Sequence, residues 1–145
     1  MMDSAFYPLD GDIPIFRAFK WKGHVGVDWV VIPGTNVRSI LRGRVIELAN
    51  NSRTYGRYVI VLHDDGHASL YAHLSKLLVK KGDIVEAGQV IALSGGAKGS
   101  DGAGASEGYH LHFEVRPPGH TDYNWWNVDP IAYIESHRIT EQAPP

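Results

Sequence analysis

Glycine sets the limits on what this chain can fold into. Sixteen glycines spread through 145 residues cut the apolar residues into short runs rich in Val and Ile. The runs are Val27–Ile32, Gly43–Leu48, Tyr58–Leu62, Ala68–Tyr71, Gln89–Ser94 and His110–Val115, separated by turn signals such as Pro33-Gly34 and Asp65-Gly66. β-Branched residues suit a pleated surface and glycine weakens helices, so the pattern predicts a mainly antiparallel β fold built from hairpins. Asp64-Asp65-Gly66, between Tyr58–Leu62 and Ala68–Tyr71, is the clearest hairpin turn. One short helix is expected near the C-terminus, with Asp129 as N-cap, Pro130 at its first position and Ile131–His137 following. Residues 140–145 read as a frayed tail.

A chain of 145 residues suits one domain spanning 1–145. Cysteine is absent, which excludes disulfides and thiolate metal sites and leaves the redox compartment unreadable. Fourteen Lys+Arg against sixteen Asp+Glu give a formal charge of −2, which argues against a nucleic-acid binder that works by neutralising phosphate. The start, MMDSAFYPLDGDIP, lacks a basic segment followed by an apolar run, so no signal peptide is expected in this chain. No stretch approaches the length of a membrane span.

Histidine is the other unusual count, at eight. Gly23-His24-Val25-Gly26-Val27-Asp28 is a poor helix, and on a straight strand His24 and Asp28 would share a face about 13 Å apart. The chain must bend for both to reach one metal, and Gly26 is where a bend is expected. His110-Leu111-His112-Phe113-Glu114-Val115 reads as a strand with both histidines on one face, about 7 Å apart, and Leu111, Phe113 and Val115 on the core face. Imidazole and carboxylate both suit Zn²⁺, but alternation does not say which of His110 and His112 would bind it. His73, in Leu70-Tyr71-Ala72-His73-Leu74-Ser75, ends an apolar strand. Gly95–Gly108 contains six glycines and no large apolar side chain, which predicts a mobile loop walling a substrate cleft. His63, His67, His120 and His137 fit no motif and are expected at the surface. Trp125 and Trp126, near Tyr123, suit a core plug or an exposed shelf for substrate, and packing of the C-terminal tail is the favoured reading.

Taken together, GHVGVD, YAHL and HLHFEV follow the order and approximate spacing of the lysostaphin/LytM-like zinc endopeptidases, peptidase family M23, which this chain resembles. Pro33-Gly34-Thr35-Asn36-Val37, Tyr55-Gly56-Arg57-Tyr58-Val59 and the segment Val79–Gln89 resemble the family's intervening turns. The likeness covers about residues 23–116 as a core, weakens toward Asp129-Pro130, and leaves 117–145 as a C-terminal extension. It implies an antiparallel β-sheet domain with a substrate groove, of the duplicated-hybrid-motif kind, and one Zn²⁺ per chain. It implies His24, Asp28 and His112 as zinc ligands, and His73 and His110 as catalytic histidines that do not bind metal. Three protein ligands would leave a position for water, whose pKa the metal lowers while a histidine moves the proton. A second imidazole would stabilise the oxyanion.

The implied substrate is a cross-linking peptide of bacterial peptidoglycan, cut at glycine bridges or beside D-amino acids. The implied place of action is the cell wall, outside the cell or in the periplasm, and a phage lysin or virion-associated hydrolase would have this size. One alternative is a non-catalytic LytM-like regulatory or scaffold module, although every motif position is intact. A lipoyl- or biotinyl-carrier reading of VKKGDIVEAGQVIALSG lacks a lysine at the hairpin tip, since Lys80 and Lys81 precede it. A structural zinc site would normally have four protein ligands.

Overall fold

The computed structural model describes residues 4–138. The expected tail at 140–145 lies outside them. Among the described residues ten strands form two antiparallel sheets. The larger contains β1 (Ile15–Arg17), β2 (Val27–Trp29), β4 (Gly43–Ser52), β5 (Gly56–His63), β6 (Ala68–Ala72), β8 (Ile84–Val85) and β10 (Leu111–Arg116). Its order is β1-β2-β10-β6-β5-β4-β8. The smaller contains β3 (Asn36–Arg38), β7 (Leu74–Leu77) and β9 (Val90–Ser94), in the order β3-β9-β7. No helix of the described residues is long and apolar enough to cross a membrane.

The predicted hairpin forms as expected. Gly66 takes φ +89°, and the Gly66 and His63 amides donate to the His63 and His67 carbonyls, closing the turn between β5 and β6. The C-terminal helix α1 (Pro130–Ser136) is also present, with Asp129 Oδ1 accepting from the Ile131 and Ala132 amides at 3.0 and 3.3 Å. Other boundaries differ. The run Val27–Ile32 is a strand only to Trp29, and beyond it Val31 is buried while Val30 and Ile32 are exposed. β1 has no apolar alternation to announce it, since all three of its residues are exposed at the sheet edge.

Alternation along β10 and its neighbours divides the large sheet into two faces. Leu111, Phe113 and Val115 point into the main core, which draws Val27, Trp29 and Tyr71 from the large sheet and Val37, Leu74 and Ile91 from beside or within the small one. The other face carries a smaller cluster of Ile60, Leu70 and Ala72. His112 lies on that second face, and the register sets it opposite Asp28 on one side and Ala72 on the other. The sheet thus brings together residues 84 positions apart in the chain.

Candidate metal centre

His24 is placed by a 3-10 turn at Trp21–Gly23, with Lys22 and Gly23 at φ 49° and 78°. Between His24 and Asp28 the chain bends at Gly26, as the sequence suggested. Gly26 also permits a close approach of two segments. A Cβ there would lie 2.3 Å from the Phe113 carbonyl oxygen and 3.1 Å from His112 Cε1. Only hydrogen fits where the loop carrying His24 crosses β10.

Three donor groups converge. His24 Nε2 lies 3.2 Å from Asp28 Oδ2, and His112 Nδ1 lies 2.7 Å from Asp28 Oδ1. One ligand atom from each of His24, Asp28 and His112 falls within 4.8 Å of the others. Asp28 and His112 are buried, at 1% and 7% exposure, while His24 is half-buried. Burial alone would raise the Asp28 pKa, but its bonds to His112 and His24 outweigh that and hold it well below the usual carboxylate value. Burial likewise opposes charge on His112, yet Asp28 and Glu114 raise its pKa to about 9. The cause is visible in the geometry: Nδ1 faces Asp28, while Nε2 faces Glu114 Oε2 at 2.7 Å. A ring with carboxylate oxygen at both nitrogens needs a second positive centre on the Asp28 side, either a proton or a metal. Two imidazoles and a carboxylate, with no sulfur, suit Zn²⁺ and leave a coordination position for a non-protein ligand. The residues present therefore fit the metal.

His73 and His110 stand beside this cluster. Their ring centroids are 4.8 Å apart, and His73 is 6.0 Å from His112. His73 sits between β6 and β7 at φ +61°, a conformation uncommon for a residue with a side chain. Its Nδ1–H donates to the Ala103 carbonyl at 2.8 Å, and His110 Nδ1–H donates to the Gly108 carbonyl at 2.7 Å. Each ring is thereby left with Nε2 as its basic nitrogen. His110 Nε2 lies 3.8 Å from Asp28 Oδ1. Burial, then the neighbouring imidazoles, lowers the His73 pKa to about 4, and burial lowers that of His110. Both rings favour the neutral form.

These residues line an open groove of about 980 Å³, with Phe16, Tyr58 and Tyr123 among its other walls. The glycine-rich segment forms part of the wall through Ala105–Gly108, as expected. Contrary to the expectation of a loosely held loop, it is anchored. Arg57 donates to Asp101 Oδ2 at 2.8 Å, and Ser106 Oγ donates to the Gly96 and Gly108 carbonyls at 2.6 and 2.7 Å. A Cβ at Gly102 would meet the Leu74 carbonyl at 2.4 Å, so glycine here permits packing as well as turning.

Two other expectations are corrected. His63 is not a surface residue: it is buried with Nδ1–H donating to the Arg42 carbonyl at 2.9 Å and Nε2 2.8 Å from Ser69 Oγ. Trp125 and Trp126 are not packed away but are 74% and 57% exposed, with Trp126 against His120. His120 is exposed as expected, and His67 and His137 are half-buried around Tyr133. Motif reasoning missed Glu114, Tyr55, Arg116 and Asn127, which form a polar cluster behind His112 in which Glu114 and Arg116 are buried and Tyr55 and Asn127 half-buried. Strand alternation places Glu114 on the histidine face, and that is the available signal.

An antiparallel β domain with a His–Asp–His cluster in an open groove, flanked by two further imidazoles, has the layout of a metallopeptidase. The family model for peptidase family M23 matches residues 22–130. The chain belongs to that family. It is 34% identical over 128 residues to the murein hydrolase activator NlpD of Escherichia coli, covering 88% of this chain and 30% of that protein. The solved structure of the antimicrobial peptidase lysostaphin from Staphylococcus simulans superposes with a TM-score of 0.75 at 29% identity, covering 92% of this chain and 55% of that one. A zinc-containing peptidase from Vibrio cholerae gives a TM-score of 0.70 at 31% identity, covering 88% and 39% of the two chains. The chain spans under a third of the length of the curated relatives it matches, 29%, 19% and 30% for three of them.

Proposed function

We propose that this chain is a zinc-dependent endopeptidase that hydrolyses peptide cross-links of bacterial peptidoglycan. In this reading His24, Asp28 and His112 hold one Zn²⁺, while His73 and His110 handle protons. The observation that carries it is the assembly of three metal-competent donors beside two imidazoles with Nδ1 bonded to backbone carbonyls. A zinc ion held there would supply Lewis acidity to a carbonyl and lower the pKa of water. The chain's own contribution is orientation. Ala103 and Gly108 hold the two imidazoles so that Nε2 is the nitrogen that takes or returns a proton. Burial keeps the rings neutral, and a neutral ring is what a general base requires. The open groove suits an extended peptide, and lysostaphin and NlpD, as named, support a wall peptide as the substrate.

The test is digestion of purified peptidoglycans with glycine bridges or direct D-amino-acid cross-links, followed by mass spectrometry of the new ends. New amino and carboxyl termini, formed with zinc and lost with a chelator, are expected. A zinc-loaded protein that cuts neither substrate would refute the reading. The likeness to a murein hydrolase activator favours one alternative, a regulatory module of cell-wall hydrolysis. That role predicts stimulation of a separate hydrolase without any cleavage by this chain.

A further inference from the structure

Glu114 is completely buried on the groove face of β10, where apolar residues would pack at lower cost. Its two oxygens are fully engaged. Oε2 lies 2.7 Å from His112 Nε2 and accepts from the Tyr55 hydroxyl at 2.6 Å. Oε1 accepts from Asn127 Nδ2 at 3.0 Å and Arg116 Nε at 3.3 Å. Asn127 Nδ2 also donates to the Val25 carbonyl at 2.8 Å, in the loop between His24 and Asp28. Tyr55 is held in turn by Asn124 Nδ2 at 3.0 Å and Arg116 at 3.2 Å.

We infer that Glu114 is the positioning residue of His112, and that Asn127 locks this carboxylate to the loop bearing His24. The inference rests on the reading of His112 as a zinc ligand. By accepting the Nε2–H, Glu114 fixes the ring's tautomer and tilt, so that Nδ1 presents its lone pair toward Asp28. Asn127 spans the two chain segments that carry the ligands, since one amide nitrogen bonds both Glu114 and Val25. The segment after β10 is thereby part of the metal centre, although it supplies no ligand.

The experiment compares the whole chain with Glu114→Ala, Glu114→Gln and Asn127→Ala. Zinc affinity is measured by competition with a chelator, beside thermal melts and the proton NMR signal of the imidazole N–H groups in the zinc-loaded form. Glu114→Ala should weaken zinc binding by roughly 10–100-fold, the scale for outer partners of metal-bound histidine, and should lose the slowly exchanging Nε2–H signal. Glu114→Gln keeps an acceptor oxygen and should fall between wild type and alanine. Asn127→Ala should weaken zinc by a smaller factor. If Glu114→Ala does not fold, the other two variants decide. A lower melting temperature with unchanged zinc affinity in Glu114→Gln and Asn127→Ala would mean a merely structural role and overturn the inference alone. A wild-type chain that binds no zinc would overturn the zinc reading as well.

Discussion

Gly26→Ala tests the close approach on which the proposed metal centre depends. The added Cβ would sit 2.3 Å from the Phe113 carbonyl oxygen, whereas carbon–oxygen contacts are comfortable from about 3.3 Å. β2 and β10 would have to separate locally by about 1 Å, because the obstructing atom is backbone and cannot rotate away. Phe113 is completely buried, with its ring 5.1 Å from Tyr71 and 5.8 Å from Trp29, so it has little room to yield. Overpacking of this kind costs about 1–3 kcal/mol, or roughly 3–12 °C in melting temperature for a chain of this size. The same separation would widen the 2.7 Å approach of His112 to Asp28, so zinc affinity should fall with stability. The assay is thermal denaturation followed by circular dichroism, with zinc affinity from chelator competition. Gly108→Ala is the control, because a Cβ there meets nothing within 4 Å. A Gly26→Ala protein that melts within about one degree of the parent and binds zinc equally well would refute the reasoning.

Loss of any proposed ligand, in His24→Ala, Asp28→Ala or His112→Ala, should abolish stoichiometric zinc by metal analysis; full zinc in Asp28→Ala would remove Asp28 from the site. His73→Ala and His110→Ala should retain zinc yet lose about a hundredfold or more in turnover, the scale of general acid–base groups. The His73 pKa, lowered to about 4, implies a base that stays neutral well into acid, so the acid limb of kcat/KM for zinc-loaded protein should lie below the usual imidazole value of about 6.5. An acid limb at or above that value would contradict the assignment of His73 as the base. His63→Ala should cost about 1–3 kcal/mol by leaving buried partners unpaired, measured by denaturant unfolding. Because burial lowers the folded-state pKa of His63, its neutral ring contributes fully above the unfolded value and progressively less as pH falls below it. The variant should therefore lose less stability than the parent between about pH 7 and pH 5.

The sequence alone determined the features governed by local rules. β-Branched runs and their punctuation specified strands, Asp65-Gly66 specified a hairpin, and Asp129-Pro130 specified a helix start. Alternation divided β10 into a core face and a histidine face. Spacing left the roles of His110 and His112 open, and the motif likeness only implies which of them would bind metal. Tertiary structure decided whatever depends on groups distant in sequence. Gly26 turned out to be constrained by a carbonyl on another strand, a contact no local pattern can encode. His63 was placed inside because its partners, Arg42 and Ser69, reach it only when β4, β5 and β6 pair. Trp125 and Trp126 remained exposed because the asparagines flanking them, Asn124 and Asn127, are the residues that turn inward, toward Tyr55 and Glu114. Hydrophobicity ranks tryptophan above asparagine for burial, but a buried carboxylate needs donors, and tertiary pairing set which side chain met that need.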